Sequence, residues 1–289
     1  MGDVRVPGEF AERLIDNEGD VVRPWLAGLP DLADWCCRRW GLAIEGPPWH
    51  GYTALVFPVR RDGEPLVLKL AWQDDWTRDE PVALSTWEGR GAVRLLESAR
   101  GALLLERLDA SRSLLTEPLD KALEIANGLL HRLTVPAPPL GRTLRDEAVR
   151  LAEEMPAEWA RLGRPVPKRL LDAAVAVCRD LGPAAGTSLV NQDLHYENVL
   201  AGTREPWLVI DPQPIAGDPE FGLIPLLWNR FTESTVEARV RVLTAGLDAD
   251  KARAWTLVRA VDDWLWATEH GGFPSVAILT AIAEWAALE

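Results

Sequence analysis

Along residues 8–41 apolar residues recur at helical spacing in "FAERLI" and "LADWCCRRW", and Gly41 closes the run, so helices are expected there. The period then changes. "YTALVFPVRRDGEPLVLKLAW" reads as two β-rich runs joined at Asp62-Gly63, a strong hairpin signal. "TRDEPVALSTWEGRG" predicts a helix closed by glycines, with Pro81 confined to its first turn or to a kink. "AVRLLES" and "GALLLERL" predict two further short strands. From Leu108 onward the pattern is mostly helical. "EPLDKALEIANGLLHRL" is amphipathic and breaks at the Pro-rich "TVPAPPLG", and helices follow near 141–162 and 167–181. "SLVNQDLHYENVL" and "WLVIDPQ" are short apolar runs of strand type, and residues 219–288 return to helix.

The expected architecture is α+β and bilobal. Residues 1–108 would form a small β-rich N-lobe with N-terminal helices, and residues 109–289 a larger helical C-lobe. Ligands favour the seam between two such lobes. With 289 residues the chain can bury roughly three quarters of its unfolded surface, so it needs neither disulfide nor metal to fold. Cys36, Cys37 and Cys178 form no Cys-x-x-Cys pair and read as reduced, packed thiols. The N-terminus lacks an apolar signal core and no stretch is long enough to span a bilayer, so a cytoplasmic protein is expected. Met1-Gly2 begins like a myristoylation site, but Val6 stands where Ser or Thr is required.

A net charge of −13 argues against a nucleic-acid partner. It suits a cationic small molecule, and it equally suits plain solubility. Most of the fourteen Trp should pack in the core, with a few left to line a cleft.

Asp193 and Asn198 lie on one loop just before the strand "NVLAG", and Asp211 ends "WLVID". If these strands pair as a hairpin, Asn198 and Asp211 come to the same end. Two oxygen side chains there suit Mg²⁺, which shares its shell with water and substrate phosphates. Asp193 would stand just outside that shell, placed to accept a proton from a hydroxyl, as phosphoryl transfer requires. Lys69 lies in the middle of "PLVLKLAW". It either faces solvent from an edge strand or holds nucleotide phosphates with Glu80 as its ion partner, because a buried lysine needs a counter-charge.

The set Lys69, Glu80, Asp193-x-x-x-x-Asn198 and Asp211 resembles the protein-kinase-like fold. More closely, "NQDLHYENVL", "VIDPQPIAGDPEFG" and "ALLLERL" resemble the aminoglycoside/hydroxyurea antibiotic resistance kinases, a group of the aminoglycoside phosphotransferase superfamily that includes streptomycin kinases. The resemblance covers most of the chain after about residue 50. It implies ATP and Mg²⁺ as cofactors and an alcohol group as acceptor. It also implies Asp193 as catalytic base, Asn198 and Asp211 as Mg²⁺ ligands, and Lys69 on the α- and β-phosphates braced by Glu80. Glu106-Arg107-Leu108 would be the hinge that pairs adenine through its backbone, and Gly51 in "HGYTA" would sit in the loop over the phosphates.

The chain departs from the family pattern in places. The usual His-Gly before the catalytic Asp is Asn191-Gln192, Glu197 fills a position that is often Gly, and Gly222 stands where a supporting Asp is common. These departures keep a slow enzyme or a catalytically impaired nucleotide-binding scaffold in view, beside an active kinase. An aminoglycoside such as streptomycin is the expected acceptor, with hydroxyurea, a peptide antibiotic or a metabolite as alternatives. A metal-dependent hydrolase is disfavoured by the scarcity of histidine, four in all. His195 is expected to order the catalytic loop or to reach phosphate or acceptor. Asp218 reads as the N-cap of a helix "PEFGLIPLLWNRF". Glu220, Asp262, Asp263 and Glu269 lie on C-terminal helices, either as a solvated face or as an acidic wall for a cationic acceptor.

Overall fold

The computed structural model describes residues 5–288, so the Met1-Gly2 motif lies outside the described residues. The chain divides into two compact units, one ending at Asp109 and the other beginning at Ala110.

The first unit opens with helices α1 (Gly8–Glu18) and α2 (Arg23–Trp40), the latter closed by Gly41 in the left-handed conformation. Strands β1 (Ala43–Ile44), β2 (Trp49–His50), β3 (Ala54–Arg61) and β4 (Glu64–Ala71) follow. Helix α3 (Glu80–Trp87) and strands β5 (Leu95–Ala99) and β6 (Ala102–Glu106) complete it. The sheet is antiparallel in the order β1-β3-β4-β6-β5, with β2 also on β3. The β3–β4 hairpin turns on Asp62 and Gly63, both at positive φ, which a two-residue turn between twisted strands requires. Helix α2 places Leu26, Leu29, Ala33, Cys36 and Trp40 on one face, packed with Leu55, Phe57, Val59, Leu66, Leu68 and Leu104 of the sheet. Each large apolar side chain so buried contributes about 1.5–3 kcal/mol. The helix around Pro81 is shorter than its pattern suggests. It starts at Glu80, keeps Pro81 in the first turn, and ends at Glu88 in the left-handed conformation.

In the second unit, β7 (Asp109–Ser113) precedes α4 (Leu119–Leu133), β8 (Val135–Pro136), α5 (Leu144–Arg161) and α6 (Lys168–Leu181). Next come β9 (Ser188–Asn191), β10 (Val199–Ala201), β11 (Trp207–Val209) and β12 (Pro214–Gly217). The chain then forms α7 (Ile224–Trp228), α8 (Val236–Leu243), α9 (Ala249–His270) and α10 (Val276–Ala287). Two small sheets, β11-β10-β7 and β12-β9-β8, carry the loops of interest, and α5, α6, α9 and α10 pack together beside them. The Pro-rich connector contributes β8 through Val135, which pairs with Leu189.

The single helix expected over "PEFGLIPLLWNRF" is broken. Residues Pro219–Gly222 form a 3-10 turn, and α7 is only five residues long. Within that turn Gly222 lies against β9, where a Cβ would be 2.6 Å from the carbonyl oxygen of Asn191. No side chain fits at 222 without moving the strand that leads into the Asp193 loop, so an Asp is excluded there by close backbone approach.

Candidate active site

In the first unit, β4 is flanked by β3 and β6, and this central position buries Lys69. Its Nζ donates to both carboxylate oxygens of Glu80, at 2.7 and 2.6 Å, where α3 begins. The side chains are only 7% and 2% exposed. Burying two charges costs several kcal/mol per ion before their attraction offsets it, so such a pair is poor value as a stabilising device. Glu106 ends β6, and its N–H donates to the carbonyl of Arg94, leaving that N–H unavailable to an adenine ring. Leu108 lies between β6 and β7 and is half-buried. Gly51 does not support the phosphate-loop expectation. Its N–H donates to the carbonyl of Ala54 within the β2–β3 turn and its carbonyl accepts from Arg13, so both backbone groups are already engaged.

In the second unit, the antiparallel register of β10 and β11 pairs Val199 with Val209, and the N–H of Ile210 donates to the carbonyl of Asn198. Asn198 and Asp211 therefore stand at the same end of this hairpin. Asp211 lies two residues past β11, at a bend with φ of 49°, a conformation uncommon outside Gly, Asn and Asp. Asn198 turns its Nδ2 to the carbonyl and the Oδ2 of Asp193, at 3.2 and 3.3 Å. Its Oδ1 accepts no hydrogen bond among the described residues. An amide oxygen beside a carboxylate is the donor set a hard cation takes. Among the described residues no cluster of three or more His, Cys, Asp or Glu could hold a metal, so a cation here would complete its shell with water and phosphate oxygens.

Two residues that sequence reasoning left without a constructive role hold the loop. Asn191 is buried, and its Oδ1 accepts from the N–H groups of both Asp193 and Gln213, at 3.1 Å each. Gln213 in turn donates from Nε2 to Asp193 Oδ2 at 3.3 Å. Asn191, read as a departure from the family's His, thus ties the Asp193 loop to the segment after Asp211.

Burial is the main cause that raises the Asp193 carboxyl to about 7. The charges of Asp211 and Asp263 add to the rise, while Arg259 and the hydrogen bond from Asn198 oppose it. The side chain still keeps 28% exposure, which leaves it an opening. His195 is neutral in character, its basicity lowered by burial. Its Nε2 stands 4.0 Å from Asp193 Oδ2, beyond hydrogen-bond reach, and its Nδ1 is 3.6 Å from the largely exposed Glu197. The His195 ring lies 5.9 Å from Trp228, which meets Phe273 edge-on at 5.3 Å. Phe273 is 59% exposed, so this row of rings runs from the Asp193 loop to the surface.

The C-terminal acids separate into different roles. Asp262 and Asp263 on α9 are half-buried, and their side chains make no hydrogen bond or ion pair among the described residues. Burial raises both carboxyls, Asp262 to about 7, with Arg259 lowering each and Asp263 adding to the rise at Asp262. Glu269 does not join them. It forms a two-pronged ion pair with Arg161 at 2.6 and 2.7 Å on an exposed face. Asp218 sits at an N-cap position, but its side chain caps nothing. It accepts instead from the Gly186 N–H, Lys251 Nζ and Trp255 Nε1 and is buried, which removes it from the acceptor candidates. Glu220 is likewise buried and accepts from the N–H of Asp248.

The sequence model of the aminoglycoside/hydroxyurea antibiotic resistance kinases matches residues 39–271. A hydroxyurea phosphotransferase of Kitasatospora aureofaciens is 43% identical over 97% of this chain and 85% of its own length. A streptomycin 6-kinase of Streptomyces griseus is 41% identical over 97% of this chain and 94% of its own. Among solved structures, an aminoglycoside phosphotransferase, APH(4)-Ia, in ternary complex with ADP and hygromycin B aligns with a TM-score of 0.60 at 16% identity, covering 88% of this chain and 96% of that one. The choline kinase LicA of Streptococcus pneumoniae aligns at 0.57 and 14% identity, covering 89% and 96%. Those two likenesses establish the protein-kinase-like α+β fold, and the sequence match establishes that this chain belongs to the aminoglycoside/hydroxyurea antibiotic resistance kinase family.

Proposed function

We propose that this chain transfers the γ-phosphoryl group of ATP to a hydroxyl of a small cationic acceptor, an aminoglycoside such as streptomycin, and so confers resistance to it in the cytoplasm. The observation that carries the reading is the Asp193 carboxylate, oriented by neighbouring amides, beside Asn198 and Asp211 at the end of one hairpin. Two streptomycin 6-kinases, at 41% and 40% identity, support the acceptor class.

In this reading the acceptor oxygen bonds to the γ-phosphorus as the bond to the bridging oxygen of ADP breaks. The hydroxyl proton passes to Asp193. Base catalysis of this kind contributes roughly 10²–10⁴-fold, and positioning and charge supply the rest. Asn198 and Asp211 would hold Mg²⁺, which when bound neutralises charge on the phosphates. Lys69, held in place by Glu80, binds the α- and β-phosphates. The carbonyl of Glu106 and the N–H of Leu108 take the adenine. Asp262 and Asp263, the latter near enough to act on Asp193, offer charge to a cationic acceptor, and Trp228 and Phe273 offer it an apolar face.

Hydroxyurea is the second reading, favoured by the 43% identical phosphotransferase. Incubating the protein with ATP and Mg²⁺ and either streptomycin or hydroxyurea, then reading the mass gain of one HPO₃ group, decides between them. No gain on either compound would sink both readings.

A further inference from the structure

We propose that Gln213 is the positioning residue of the catalytic carboxylate: its side-chain amide, with that of Asn198, holds Asp193 Oδ2 so that Oδ1 alone is presented to the acceptor hydroxyl. This rests on the reading of Asp193 as the base.

The two oxygens of Asp193 are treated differently. Oδ2 receives Nδ2 of Asn198 and Nε2 of Gln213, each at 3.3 Å. Oδ1 receives no hydrogen bond among the described residues. An ionised carboxylate only accepts, so both facing amides must offer their nitrogen. The torsion that turns a carboxylate is broad and two-fold, so without donors the two oxygens would exchange places. Two donors on one oxygen stop that exchange. They also draw electron density to Oδ2, which leaves Oδ1 as the oxygen that takes the proton. Such contacts tend to be long before substrate binds and to tighten in the complex.

Gln213 is itself held by backbone. Its N–H donates to Asn191 Oδ1, the atom that also takes the N–H of Asp193, and its carbonyl accepts from the N–H of Gln192 at 3.1 Å. Pro214 then pairs with Asn191 as β12 joins β9. The bend at Asp211 returns the chain to this point. The backbone that carries the amide is thus stitched to the residues just before Asp193, and the bond to Oδ2 orders the remaining side-chain stem. The side-chain chemistry also suits the task. A lysine there would neutralise the base, and a glutamate would repel it. An amide donates without adding charge. Asn198 has a second duty in its oxygen, whereas Gln213 has only this one.

The test compares Gln213→Leu, which keeps size and loses the donor, and Gln213→Glu, which keeps shape and adds repulsion. Both are made in the full chain and in an Asp193→Ala background, with phosphorylated acceptor measured by mass. We expect kcat to fall by roughly tenfold or more in Gln213→Leu and at least as far in Gln213→Glu, the loss of one hydrogen bond to a charged group, with both KM values within about twofold. In the Asp193→Ala background the same changes should leave the residual rate unaltered, since Gln213 has no carboxylate left to position. An undiminished kcat in either single variant overturns the proposal. So does an equal proportional loss with and without Asp193, or a loss confined to KM. Full activity in Asp193→Ala alone would instead remove the base assignment beneath it.

Discussion

Lys69 and Glu80 form a buried, two-pronged ion pair between the middle of β4 and the first residue of α3. Removing one partner of such a buried ion pair costs about 3–5 kcal/mol. Glu80→Ala should therefore lower both stability and ATP affinity. The joint replacement Lys69→Met with Glu80→Leu should recover most of the stability, because packed apolar groups replace the pair, yet remain unable to bind ATP tightly. Chemical denaturation and ATP titration on the three proteins separate the two effects. Tight ATP binding by the double variant would take Lys69 out of the nucleotide site.

Asp193→Ala should leave ATP affinity nearly unchanged and reduce kcat by roughly 10²-fold or more. The side chain touches Asn198 and Gln213 and keeps an opening, which suits contact with an acceptor hydroxyl. Steady-state kinetics alongside nucleotide titration make the comparison.

Asn198→Ala and Asp211→Asn should weaken nucleotide binding in the presence of Mg²⁺ and leave metal-free binding little altered. Each removes or neutralises an oxygen at the hairpin end where β10 and β11 pair. Titrating ATP with and without Mg²⁺ tests both, and an unchanged Mg²⁺ dependence in both variants would refute the assignment.

The parts legible in the sequence are those set by short-range rules. Asp62-Gly63 announced a hairpin because few other pairs tolerate positive φ twice in succession. The Asp193–Asn198 spacing and the "WLVID" strand were readable because one hairpin carries them. Residues acting over distance were not. Asp218 before Pro219 has the local form of an N-cap, yet Gly186, Lys251 and Trp255 claim its carboxylate. Glu269 shares a helix with Asp262 and Asp263, but Arg161, more than a hundred positions away, takes it. Gln213 follows a motif that was recognised, but its contact with Asp193 depends on the β12–β9 pairing and the bend at Asp211, which no local pattern encodes.

Asp262 gives the protein a predicted pH dependence of stability. An acid whose folded pKa is raised holds a proton that the unfolded chain releases, so stability is greatest below the unfolded value near 4 and falls as pH rises toward about 7. The groups facing it are Asp263 and Arg259 on α9, Glu147 and Arg150 on α5, and Cys178 on α6. Asp262→Asn should raise the thermal midpoint at about pH 8 relative to the unaltered protein and narrow the gap between about pH 5 and pH 8. Identical pH profiles for the two proteins would show that the surrounding charges compensate Asp262.

The same pair of acids should decide the acceptor. Neither the Asp262 nor the Asp263 side chain makes a hydrogen bond or ion pair among the described residues, and Asp263 acts on Asp193, so a cation bound beside Asp193 would meet Asp263, with Asp262 next to it on α9. Its charge would favour their ionised forms, and binding should release protons near neutral pH. Asp262→Asn with Asp263→Asn should therefore raise the KM for streptomycin several-fold and leave the ATP KM alone. Hydroxyurea, which is neutral, should be unaffected. Glu269→Gln serves as the control: its carboxylate is held by Arg161, and its loss should leave streptomycin kinetics unchanged. Salt adds a second reading, since the Debye length shrinks from roughly 30 Å at 0.01 M to roughly 8 Å at 0.15 M. Streptomycin KM should rise over that range and hydroxyurea KM should not. If Asp262 and Asp263 can be neutralised without cost to streptomycin while Glu269 cannot, the acidic contact lies on the exposed end of α9, and the half-buried pair serves the fold alone.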